Sequence, residues 1–165
     1  MSLSEQLWGD RTKVLKLWFQ TVLESYPKQS RTLIAVESDR FANPIGSTLN
    51  DAIEDIFATV AGKKTVDDAE PAIAKMVKLK AVQEGSSEGQ LAFLFALKPI
   101  IRKTCGANSS RFSQWQDLLE IEDRIDLVIL RAMEIFIQSR EKILELQVDE
   151  IKNKTYSLRK LSGDL

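Results

Sequence analysis

The sequence predicts an all-α fold, a single-domain bundle of six or seven helices with one long helix at its C-terminal end. Apolar residues recur at i, i+3, i+4 and i+7 through most of the chain, and no alternating strand pattern exceeds about four residues. From Ala107 to Ser162 there is neither glycine nor proline. Within that stretch Leu130, Ile137, Leu144, Ile151 and Leu158 stand at strict seven-residue intervals, the repeat of a helix that meets another helix.

The first helix is predicted from about Ser4 to Glu24. Leu7, Trp8, Val14, Leu15, Trp18, Phe19, Val22 and Leu23 share one face, Gly9 weakens the first turns, and Ser25-Tyr26-Pro27 ends the run. Pro27 suits the first turn of a short second helix reaching about Val36 through Leu33 and Ile34. After the irregular string Glu37 to Ala42, Asn43 reads as an N-cap and Pro44 as the first residue of a third helix, because proline lacks an N–H that would be orphaned there. Ile45, Leu49, Ile53, Ile56, Phe57 and Val60 form its stripe, and Gly62 ends it.

Thr65 and Asp68 make a capping box that opens a fourth helix, with Ala69, Ile73, Met76, Val77 and Val82 inward and Gly85 at its end. Its basic residues, Lys75, Lys78 and Lys80, read as a solvated face. Ser87 and Gln90 open a fifth helix with almost no polar side, which Pro99 should kink near Phe95. A short segment from about Ser110 to Leu119 carries Phe112, Trp115, Leu118 and Leu119, and the final helix runs from about Glu120 to Leu161. The three tryptophans, Trp8, Trp18 and Trp115, read as core.

Composition excludes more than any motif suggests. In 165 residues, 23 Lys and Arg nearly cancel 24 Asp and Glu, so no bulk basic field exists to hold a phosphate backbone, and nucleic acid is not an expected partner. There is no histidine, which removes the common zinc sites, haem ligation of the globin kind, and Ser-His-Asp or Cys-His pairs. No cofactor, metal or catalytic residue is expected, and the chain reads as non-enzymatic. No apolar run reaches the roughly 18 residues of a membrane span, and the N-terminus has no charged n-region followed by an apolar h-region. With Cys105 as its one cysteine, the expected location is the cytoplasm.

The final helix divides into two regimes. From Ile121 to about Ile143 it is apolar over a wide arc that includes Leu127, Leu130, Ile135 and Ile137, which reads as packed inside the domain. From Leu144 the stripe narrows to Leu144, Val148, Ile151, Thr155 and Leu158 between charged flanks, as in a coiled-coil seam. Leu144, Val148, Ile151 and Leu158 are therefore candidate interaction residues, and the segment 146–161 is a candidate protruding output arm. A second copy of the chain is the expected partner. A different reading makes the protein a small-molecule receptor or carrier, with an apolar cavity lined by Phe93, Leu97 and Phe136 beneath the fifth helix.

Asp39-Arg40-Phe41-Ala42-Asn43-Pro44-Ile45-Gly46 is the most distinctive string. Read with Leu17-Trp18-Phe19, Tyr26-Pro27, Lys80-Ala81-Val82-Gln83 and Ser139-Arg140-Glu141-Lys142, it resembles the RsbRD-type N-terminal domain over residues 7–161. That is the helical module preceding the STAS domain in some RsbT co-antagonists of bacterial stress-signalling complexes. Stand-alone relatives also occur, some in anaerobic sulfur-metabolising bacteria. The resemblance implies a helical domain spanning about 4–161 that dimerises, senses or regulates, and passes a signal through its last helix, with a STAS-domain or other regulatory protein as recipient. It makes Asp39, Arg40, Phe41, Asn43, Pro44 and Gly46 a motif loop, either a ligand loop or a helix–helix corner. No STAS domain follows in this sequence, so the resemblance fits either a stand-alone protein or a piece cut at the domain edge.

Overall fold

The computed structural model describes residues 2–35, 43–105 and 112–163. These form eight helical segments and no strand: α1 (Leu3–Gly9), α2 (Arg11–Glu24), α3 (Lys28–Ala35), α4 (Pro44–Val60), α5 (Val66–Ala81), α6 (Ser87–Phe95), α7 (Leu97–Thr104) and α8 (Phe112–Ser162). The all-α class and the long last helix are as the periodicity predicts, but three boundaries differ. The expected first helix is divided at Asp10, whose side chain makes no capping hydrogen bond to α2. The expected kink in the fifth helix is a full break at Ala96, which places Pro99 third in a new helix, where its missing N–H costs least. The short segment before the final helix is instead the start of that helix, so α8 has 51 residues and is about 76 Å long.

Several starts obey the capping chemistry. Thr65 accepts from the Asp68 N–H while the Asp68 carboxylate takes the Thr65 N–H, a complete capping box, and Ser2 with Glu5 makes another. For α6 the cap is Ser86, accepting from the Gly89 N–H, one residue earlier than the Ser87 expected. Asn43 caps α4 through the Gly46 N–H at 2.9 Å, and its amide donates to the Ile34 carbonyl at 2.9 Å, fastening the end of α3 to the start of α4. A Cβ on Gly46 would lie 2.6 Å from that Ile34 oxygen, so only glycine fits where the two helices meet.

One core joins all eight segments. α5 packs mainly against α4 and α8, with α2 behind α4 and α7. Trp18, Phe57, Phe93, Ile73, Met76 and Leu97 are fully buried. The Trp18 indole N–H donates to the Phe93 carbonyl at 2.8 Å, and the two rings stack with centroids 6.4 Å apart. Phe93, Leu97 and Phe136 are themselves packed core side chains. Trp115, expected in the core, is about half exposed, and Val82, expected inward, is largely exposed at the end of α5.

The first half of α8 is firmly held. Leu118, Ile121, Ile125, Val128, Ala132 and Phe136 line its inner face. Arg124 donates to the Val60 carbonyl at 2.8 Å and to Ser4 at 2.9 Å, tying α8 to α4 and α1. Arg102 grips Glu122 through two hydrogen bonds of 2.6 and 2.8 Å, Lys98 meets Asp126, and Arg131 reaches Asp67 and Glu70 of α5. Beyond Arg140 the ion pairs described for the helix are internal, Lys142 with Glu145 and Lys154 with Glu150.

Candidate interaction surface

From Leu144 to Gly163 every residue of the chain is exposed. This half therefore does not pack on its own domain. Leu144, Val148, Ile151 and Leu158 are 59%, 48%, 64% and 66% exposed along one side of this outer half of α8. The same side continues onto the body of the protein. Leu127, Leu130 and Ile137, which the width of the apolar arc assigns to the core, are 52%, 63% and 51% exposed. An apolar arc wide enough to cover both sides of a helix has only one side facing its own domain.

Spaced alternately by three and four residues, the outer stripe reads Leu127, Leu130, Glu134, Ile137, Glu141, Leu144, Val148, Ile151, Thr155, Leu158. It runs for about 46 Å. Leu130, Ile137, Leu144, Ile151 and Leu158 occupy one heptad position throughout, diametrically opposite the inner face of Leu118, Ile125 and Ala132. An exposed strip of this length, apolar at seven of its ten positions and interrupted by Glu134, Glu141 and Thr155, has the geometry of an unpaired coiled-coil seam. Where the arm leaves the body, α5 and α8 enclose an apolar groove of about 480 Å³, with Ala74, Lys78, Val82, Lys142 and Ile143 among its walls.

Of the motif loop, Asp39, Arg40 and Phe41 lie outside the described residues. Asn43, Pro44 and Gly46 form the α3–α4 corner already described.

Two cations, Lys80 and Arg140, are held against the body, Lys80 at a position that its charged neighbours Lys75 and Lys78 predict to be solvated. Lys80 is fully buried rather than solvated. Its ammonium donates to the Ser25 hydroxyl at the end of α2 and lies over the Tyr26 ring, 3.8 Å from the centroid, with Phe93 at 5.6 Å. Burial pulls its pKa down to about 8. Tyr26 is buried beside it; its hydroxyl lies near Gln83 without a well-formed hydrogen bond, and burial pushes its pKa up. Arg140 closes over the α5–α6 loop, donating to the carbonyls of Gln83 at 2.9 Å and Gly85 at 3.2 Å, with its guanidinium over Phe136. Lys80 was detectable in the sequence, since it continues the Ile73, Met76, Val77 stripe at helical spacing.

Burial, followed by the charge of Asp10, raises the Cys105 thiol to about 11, so it is protonated at neutral pH and a poor nucleophile. Among the described residues no three His, Cys, Asp or Glu side chains gather as a metal-binding group. None of the described helices is long and apolar enough to cross a membrane.

These features define, over the described residues, an all-helical protein whose last helix carries an exposed apolar stripe along its outer face. No family model matches the chain, nor does any curated protein or solved structure.

Proposed function

We propose that this chain is a non-enzymatic regulatory or sensory interaction domain that pairs with a second copy of itself through α8 and passes a change in its body along that helix to a partner. The single observation behind this reading is the exposed stripe from Leu127 to Leu158. Five residues at one heptad position, each more than half exposed, lie on a helix that is exposed at every residue from Leu144 to its end at Ser162. Covering such a strip removes apolar area from water at about 25 cal/mol per Å². The resemblance to RsbRD-type domains supplies the rest of the proposal: a cytoplasmic role in bacterial stress signalling, with a STAS-domain or other regulatory protein as recipient.

Light scattering coupled to gel filtration tests the pairing. The parent is expected at twice the 18.7 kDa chain mass at tens of micromolar. Ile151→Asp places a charge in the seam without touching the body, so it should shift the mass toward one chain while the helical circular dichroism stays unchanged. A parent that runs as a monomer, or an Ile151→Asp variant with the parent's mass, defeats the proposal.

A further inference from the structure

We infer that the second copy lies antiparallel, its arm running back along the outer face of α8 so that Val148 of each chain meets Ile151 of the other; this rests on the pairing proposed above. The charges beside the seam choose the direction. The arm is acidic in its first turns, with Glu145, Asp149 and Glu150, and basic in its later ones, with Lys152, Lys154, Arg159 and Lys160. Such a segment is complementary to itself only when reversed. With Val148 opposite Ile151, Leu144 faces Thr155 of the second copy, and Glu145 flanks Lys152 of the second copy on both sides of the two-fold axis. Lys154 then lies beside Gln147, and Arg159 beside Gln138 and within reach of Glu141.

The alternatives each bring like charges together. A parallel, in-register pair stacks Glu134 on Glu134 and Glu141 on Glu141 inside the seam and sets Lys154 beside Arg159, contacts that cost free energy when desolvated. Its one favourable flanking pair, Arg140 with Glu145, needs a guanidinium that is already committed to the Gln83 and Gly85 carbonyls. Sliding the antiparallel pair by one heptad in one direction puts Glu145 on Glu145, and in the other puts Lys152 on Lys152. The body leaves room for the chosen arrangement, because Ile137 and Glu141 are exposed where the end of the second arm would lie.

Cysteine cross-linking reads the direction. In the antiparallel pair residue 144 sits against residue 155 of the second copy, while the two residues 144 are separated by eleven residues of helix, about 16 Å. A disulfide needs Cα atoms within about 7 Å. Under mild oxidation, a mixture of Leu144→Cys and Thr155→Cys proteins is expected to form a covalent dimer containing one of each, about ten-fold faster than Leu144→Cys alone. The parent, whose only thiol is buried Cys105, is the control. Glu145→Lys should weaken association roughly five-fold, and adding Lys152→Glu should restore it. Rapid cross-linking of Leu144→Cys with itself, or no rescue by the double charge swap while light scattering still reports a dimer, overturns the antiparallel inference and leaves the pairing intact. A monomeric parent removes the pairing itself.

Discussion

The ammonium of Lys80 lies 3.8 Å from the centroid of the Tyr26 ring, in the core and facing no carboxylate among the described residues. Ser25 supplies its described hydrogen bond. A cation held in this way is compensated by one hydroxyl and by the negative faces of two rings, which offsets only part of the cost of removing it from water.

A pH dependence follows from that placement. Lys80 has a pKa of about 8 in the fold against an ordinary 10.5. Between those values the folded chain binds fewer protons than the unfolded one, so its stability rises with pH across the window, and the penalty for burying the charge is fully present below about pH 8. Lys80→Met keeps the volume and removes the charge. It is expected to be more stable than the parent at pH 7, by about 1 kcal/mol or more, with the advantage shrinking as pH rises toward 10. Urea unfolding of both proteins at pH 7 and pH 9.5 measures this, and a difference that does not change with pH rules it out.

At the α3–α4 corner, helix propensity and local geometry oppose each other. Alanine is about 1 kcal/mol better than glycine inside a helix, yet Gly46→Ala should destabilise the protein by about 1–3 kcal/mol, because the new Cβ meets the Ile34 carbonyl and displaces the Asn43 amide. Asn43→Ala should lose about 1–2 kcal/mol through the missing cap and the missing bond to Ile34. Thermal denaturation of the two variants is the measurement. A stabilised Gly46→Ala protein would show that the corner does not have this geometry in solution.

Arg140 anchors the root of the arm. Its two bonds to the Gln83 and Gly85 carbonyls join the root of the arm to the α5–α6 loop. Arg140→Ala should lower stability by about 1.5–3 kcal/mol, the range for hydrogen bonds from a charged donor. It should also speed amide exchange in residues 83–86 by about ten-fold, while exchange in the first turns of α4 stays as in the parent. Hydrogen exchange read by mass spectrometry separates these regions, and an unchanged loop would mean that Arg140 does not hold it.

Much of the architecture was legible because periodicity and caps act locally. α4 and α5 follow from their stripes and from Asn43, Thr65 and Asp68, whose capping hydrogen bonds involve neighbours within three residues. The division at Asp10 was signalled only by Gly9, since Asp10 makes no side-chain cap for α2. The outer stripe was visible as a heptad, but its exposure between Leu127 and Ile137 was not. Spacing identifies which residues share a side of a helix and carries no information about which side has a neighbour. Lys80 is concealed for a related reason: its charge points to solvent, and only its place on the Ile73, Met76, Val77 stripe points inward. The second halves of its partnership, Ser25 and Phe93, come from distant parts of the chain, as does the reach of Arg140 across to Gly85.

The absence of any break in α8 has a mechanical consequence. From Phe136, the last fully packed residue of its inner face, to Ser162 the helix extends about 39 Å, and from Leu144 onward every residue of it is exposed. It behaves as a lever with its fulcrum in the core. A tilt of about 5° imposed on the packed half, too small to expose a core side chain, carries the tip sideways through about 3 Å. Displacements too small to matter inside the bundle therefore emerge at Leu158 as a sideways shift of about 3 Å that another surface can distinguish.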